Sequence, residues 1–172
     1  MRRSPGNDNG FTLVELMVVL MTMAILIALA LPTYAGARQR VQDRAAQSNL
    51  RNAVTAAKTV YTDKADYFAA DNAKLTTTET SLTFVPKDTS SGTSKTVSVY
   101  PGAASPSQSW YGATFSDSKT CWYVWDNAAS PNGGTWWAKR TSANASTTCT
   151  GTVAGGIALA NWRTTPQSAV AV

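Results

Sequence analysis

There is no histidine among the 172 residues of this chain. That excludes His-dependent acid–base chemistry and removes the commonest zinc ligand. Acids are scarce in the second half: after residue 90 only Asp117 and Asp126 remain, too few for a calcium site, which takes six to eight oxygens with several carboxylates. The chain contains no G-x-S-x-G, no Walker sequence and no run of Lys or Arg long enough to mark a nucleic-acid site. These absences predict no enzyme, no metal and no cofactor. Cysteine is limited to Cys121 and Cys149, with 27 residues between them. In an exported domain two cysteines read as one disulfide, the alternative being two buried free thiols. Glycine is missing between Gly10 and Gly36, and no internal repeat is visible.

That glycine-free interval holds the stretch around which the chain is organised. A polar leader, with Arg2, Arg3 and Asp8, ends at Gly10. Phe11-Thr12-Leu13-Val14-Glu15-Leu16-Met17 follows and continues as an apolar run to Leu31. Phe11 to Leu31 is 21 residues, enough to cross a bilayer as a helix. Glu15 is the one ionisable side chain inside it. An ordinary signal peptide is the competing reading, with small-residue sites at Ala28-Leu29-Ala30 and Ala35-Gly36-Ala37. The length of the run and the glutamate inside it argue against that. Orientation stays open on charge counting, because Arg38, Arg40 and Arg44 follow the run while Arg2 and Arg3 precede it. The cysteine pair and the Thr- and Trp-rich second half put the C-terminal part outside.

Gly10-Phe11-Thr12-Leu13-Val14-Glu15, the apolar run and Pro32 together resemble the N-terminus of the type IV pilin superfamily, which includes pilins, pseudopilins of type II secretion and competence pilins. The resemblance covers roughly the first 50 residues. It implies cleavage after Gly10 by a prepilin peptidase, N-methylation of Phe11, and self-assembly of helices into a filament by a pilus assembly machinery. It also implies a single-pass location in the cytoplasmic membrane before assembly and a cell-surface pilus after it. Removing the leader lowers the formal charge from +5 to +4. Glu15 then has two readings. It sits at the headgroup level and complements the helix dipole, or it pairs with the free amine of a neighbouring subunit's Phe11 and sets the register. The resemblance favours the second. Phe11, Glu15 and Pro32 are thus the candidate assembly residues.

Apolar residues recur at three- and four-residue spacing from Thr33 to about Ala69, among them Leu50, Ala53, Val54, Ala57 and Val60. This predicts an amphipathic continuation and one N-terminal helix of about 55 residues. Pro32 and Gly36 mark a weak point in it. After Asp71 the pattern turns to short alternating runs: Ser81–Val85, Thr96–Tyr100, Trp110–Ser116, Lys119–Asp126, Thr135–Arg140 and a weaker Thr152–Ala158. Ser130-Pro131-Asn132-Gly133-Gly134 and Pro101-Gly102 read as turns.

The expected architecture is α+β, a long N-terminal helix packed against a C-terminal antiparallel sheet. Its segments are a leader at 1–10, a transmembrane and filament-core helix at 11–31, an amphipathic helix at 32–70 and a β-rich head at 71–172. Alternation puts Trp122 and Val124 on one face of a strand and Cys121, Tyr123 and Trp125 on the other, so both faces are apolar. One covers the helix; the other needs the C-terminal tail or a neighbour. The six tryptophans admit a second use, an exposed platform for a surface, glycan or DNA ligand. Asn144-Ala145-Ser146 fits a glycosylation sequon.

The function expected is a structural pilus subunit serving adhesion, motility or DNA uptake. The alternatives are a pseudopilin of a secretion or competence system, or a membrane-anchored or secreted aromatic-rich adhesin.

Overall fold

The computed structural model describes residues 10–141, 145–169 and 172. The expected leader, apart from Gly10, and the sequon residue Asn144 lie outside the described residues. The chain divides into two compact units, Met1–Arg38 and Gln39–Val172.

The first helix, α1, covers Leu13–Lys64. It starts where the sequence provides a cap: Thr12 Oγ1 accepts the Glu15 backbone N–H at 3.2 Å. It does not break at Pro32 or Gly36, so the expected weak point leaves no interruption. One missing donor removes a single rung of the ladder and does not by itself end a helix. The Pro32 side chain lies outside the described residues.

Within the second unit, the C-terminal part of α1 presents Ala46, Leu50, Ala53, Val54, Ala57 and Val60, all buried. Their spacing is the predicted helical one. They join a core with Val97, Val99, Trp110, Trp122, Val124 and Trp137 from the strands. The helix supplies mostly small side chains and the sheet the large ones, a division that lets backbone and sheet approach closely at interior packing density. α1 ends at Lys64, short of the predicted limit near Ala69. Asp66 then caps a 3₁₀ turn at Tyr67–Ala69 by accepting the Phe68 N–H. A short helix, α2 (Asn72–Thr78), follows; Asp71 caps it and Leu75 is buried beneath it.

The sheet has five strands in chain order: β1 (Thr83–Pro86), β2 (Thr96–Tyr100), β3 (Ser109–Phe115), β4 (Thr120–Asn127) and β5 (Gly134–Thr141). From β2 to β5 every pairing is antiparallel, as expected. The β1–β2 pair is parallel, which corrects the all-antiparallel expectation. The segment between them does not form a hairpin: Ser91 Oγ accepts the Phe115 N–H and donates to the Thr96 carbonyl. That pins the connection across the sheet end, so β2 re-enters in the same direction as β1.

β4 splits its faces as alternation requires. Trp122 and Val124 join the core under α1, while Cys121, Tyr123 and Trp125 join a second core with Phe115, Ala154 and Trp162. The cover on that second face is α3 (Ala145–Thr148), α4 (Gly151–Gly155) and the segment after them. Cys121 and Cys149 are joined, their Cα atoms 5.5 Å apart, which fastens this cover to β4. The strand expected at Thr152–Ala158 is instead α4 and the turn after it. The physical reason is local: Thr150 caps a helix by accepting the Val153 N–H, and Gly151 and Gly155 let that helix lie directly on β2. A Cβ on Gly151 would stand 2.8 Å from the carbonyl carbon of Val99 and 2.9 Å from the Tyr100 nitrogen, both backbone atoms. Gly151→Ala is therefore expected to destabilise the head by about 1–3 kcal/mol, the range for overpacking. A urea titration checks it, and an unchanged midpoint would mean that α4 lifts off β2 without cost.

Candidate functional site

Two regions carry the residues singled out from the sequence. The first is the N-terminal segment. Phe11 is 75% exposed, and the side chains on every side of the helix from Leu13 to Leu29 are exposed as well. Among the described residues α1 is the one helix long and apolar enough to cross a membrane, with none of that apolar window buried by the rest of the chain. A helix apolar all round is stable only where lipid or other helices surround it. Thr22, the polar residue inside the run, turns its hydroxyl back to the Val19 carbonyl at 2.9 Å and presents no unsatisfied donor. Glu15 differs. Its backbone N–H is satisfied by Thr12, but its exposed carboxylate has no partner among the described residues. It is a charge on an otherwise apolar surface, in the first turn, two residues after the start of α1.

The second region is the aromatic head. Trp110, Trp122, Trp125, Trp137 and Trp162 are all buried, and Trp136 is half-buried. The expected core role of these rings is what the structure shows, and the alternative of an exposed tryptophan platform is corrected: the rings build the two cores. Tyr100, Tyr111, Trp125 and Trp136 stand opposite one another on β2 to β5, with successive ring centroids 5.7, 6.0 and 6.2 Å apart. Such cross-strand aromatic pairs stabilise a sheet. Because the rings stack on each other, their faces are occupied.

Sequence reasoning missed the polar clasp at the end of β4. Asp126 is only 2% exposed. Its carboxylate accepts the Tyr67 hydroxyl at 2.5 Å and the Thr135 hydroxyl at 2.5 Å, and Lys58 Nζ lies 3.0 Å away. Burial, then the hydrogen bond to Asp126, pushes the Tyr67 hydroxyl far above the ordinary phenol range. Tyr61 packs against Tyr67 with ring centroids 4.4 Å apart and donates its hydroxyl to Gln108. Nearby, the Ser105 hydroxyl, followed by the backbone of Ser107, holds the Asp66 carboxyl below its usual value. The only available sequence signal was an aspartate at the end of an aromatic strand. These contacts bind and orient; among the described residues no group of three His, Cys, Asp or Glu side chains could hold a metal ion.

Comparison with known proteins bears on the first region. Residues 6–31 match the family model of the prokaryotic N-terminal methylation motif. Over 66 residues the chain is 38% identical to the type IV major pilin protein PilA of Myxococcus xanthus (strain DK1622). That alignment takes in 38% of this chain and 30% of the relative, so the chain spans about a third of the length of the relative it matches. No solved structure matches the chain.

Proposed function

We propose that this chain, which belongs through its N-terminal segment to the type IV pilin superfamily, is a structural subunit that polymerises through Phe11–Leu31 into a cell-surface filament. The observation that carries this reading is the surface of that segment. From Phe11 to Ala30 it is apolar on all sides, exposed, and interrupted by one unpartnered carboxylate at Glu15. Lipid can cover such a helix before assembly, and identical helices can cover it afterwards. The carboxylate rationalises the second state, because a bundle cut after Gly10 brings free amines of Phe11 into the same apolar layer. A prepilin peptidase that cuts at Gly10 and methylates Phe11 is the partner this requires, followed by an assembly machinery that draws subunits from the membrane. In this division 11–31 is the filament-core segment, and the disulfide-bonded head is what the filament displays. The similarity to a major pilin over 66 residues supports a pilin- or pseudopilin-type subunit, and the pilus is the member of that class we propose.

The test is the intact mass and N-terminal residue of the protein in material sheared from cells. The expected product begins at N-methylated Phe11, is two hydrogen atoms short for the Cys121–Cys149 bond, and lies in a fraction containing filaments. A soluble monomer beginning after Ala30 or Ala37 would overturn the reading, because the apolar run would then have been a signal peptide.

A further inference from the structure

A groove runs beside the C-terminal part of α1 in the second unit. One stretch, about 420 Å³, is lined by Arg51, Lys58, Thr55, Thr135, Thr164 and Thr165. Another, about 290 Å³, is lined by Arg40, Arg44 and Lys139. Pro166 stands on the wall of both, so the two stretches are neighbours along α1, and we treat them as one cleft. One acid, Asp43, lines it and a second, Asp126, adjoins it at Lys58, and both are engaged. Asp43 accepts the Trp122 indole N–H at 3.2 Å and the Ser118 hydroxyl, and Asp126 sits against Lys58. Five cations against two acids leave the cleft clearly positive.

Three of these cations are held in place, Lys58 by Asp126 and two by aromatic rings. The Arg51 guanidinium lies over the Trp137 ring at 5.7 Å, and Lys139 Nζ over the Trp122 ring at 5.6 Å. The guanidinium N–H groups of Arg51 make no hydrogen bond within the described residues, and Arg44 has no partner there. Arg51, fixed over Trp137 beside the threonine hydroxyls, is preorganised for a carboxylate flanked by hydroxyl groups.

We propose that this groove binds an acidic polysaccharide. Three observations choose that occupant. Arg44, Arg51 and Lys58 recur every seven residues on one side of the helix, about 10.5 Å apart. That is the length of two linked sugar rings, so the spacing suits a polymer with one carboxylate per disaccharide. Duplex DNA carries a charge every 1.7 Å or so, far denser than the row, and the tryptophans beneath the cations are buried and offer single strands no stacking face. A second copy of the chain is a poor source of counter-charge. Beyond the apolar segment only Asp63 and Asp117, among the described residues, are exposed carboxylates without a hydrogen-bond or ion-pair partner.

The experiment uses the full chain dispersed in detergent, with a fluorescent hyaluronan dodecasaccharide as probe and neutral dextran and a short duplex DNA as comparisons. Hyaluronan is expected to bind with an affinity that falls as salt rises, and dextran not to bind. Arg44→Gln with Arg51→Gln should weaken hyaluronan by about tenfold or more, while Arg51→Lys, which keeps the cation, should change it about twofold. Arg44→Gln alone breaks no intramolecular hydrogen bond or ion pair, so its expected loss of about threefold does not depend on the double variant folding. Hyaluronan binding no better than dextran, or unchanged in the variants, would overturn the proposal. Duplex DNA bound more tightly than hyaluronan at equal salt would assign the groove to nucleic acid instead. Because the dispersed chain is measured, either failure is separate from failure of the filament reading.

Discussion

Glu15→Ala is expected to leave the chain in the membrane and to lower its amount in filaments by about 100-fold or more. Insertion depends on the apolar run, and removing a carboxylate makes that run more apolar, so the membrane pool should be unchanged or larger. Assembly is another matter. After cleavage at Gly10 each helix begins with a charged amine on Phe11, and packing identical helices takes that amine out of water. An unpaired buried charge costs several kcal/mol, and deleting one partner of a buried pair typically costs 3–5 kcal/mol. The lower end of that range already gives the stated factor. Glu15 is placed to be the partner, since its carboxylate is uncommitted while Thr12 satisfies its backbone. Glu15→Asp keeps the charge on a shorter arm and should recover part of the assembly; Glu15→Gln should recover little. Immunoblots of sheared and membrane fractions read both pools. Wild-type filament levels from Glu15→Ala would remove the register role and leave Glu15 as a charge at the membrane surface.

Much of this fold is legible in the residues because its determinants are local. Leu50, Ala53, Val54, Ala57 and Val60 announce the buried stripe of α1, and alternation along β4 sorts Trp122 and Val124 from Cys121, Tyr123 and Trp125. Strands β2 to β5 fall within a residue or so of where β-branched and aromatic runs put them. What the sequence conceals depends on distant partners. The parallel β1–β2 pair rests on Ser91 reaching β3, a contact with no local signature. Three consecutive threonines conceal α2, which Asp71 and the burial of Leu75 secure. The glycines of α4 look like strand breakers until β2 is seen against them. The tryptophans fill the core, as the first of their two readings has it, because the helix offers so many alanines that the sheet must supply the large side chains. In the candidate assembly segment Thr12 and Glu15 are readable as a cap and a lone charge, whereas the cationic groove forms only when residues 164–166 come alongside α1.

Asp126→Ala should be the most damaging polar substitution in the head, at about 3–4 kcal/mol. Three donors converge on this carboxylate from separate parts of the unit: Lys58 on α1, Tyr67 on the turn after it, and Thr135 on β5. Removing it leaves the Tyr67 hydroxyl buried without an acceptor and detaches the end of α1 from the sheet. Lys58 contributes less to the loss, because its side chain is 49% exposed and water can replace the carboxylate. For a unit of this size the expected fall in melting temperature is roughly 10 °C. Tyr67→Phe removes one donor and keeps the packing, so it should cost only about 1–2 kcal/mol. In the double variant the two losses should fall short of their sum, since the hydroxyl orphaned by Asp126→Ala is already gone. Alkaline titration gives an independent reading. The Tyr67 hydroxyl is held protonated in the folded head, whereas in the unfolded chain it ionises near its ordinary value of 10.0. Its contribution is therefore complete below that pH and is lost as pH rises through and beyond it. Burial also raises Tyr111 and Tyr123, so Tyr67→Phe should flatten the alkaline decline without abolishing it. If Asp126→Ala lost less than about 1 kcal/mol, and Tyr67→Phe left the alkaline profile unchanged, then packing of the alanine stripe alone would hold α1 to the sheet.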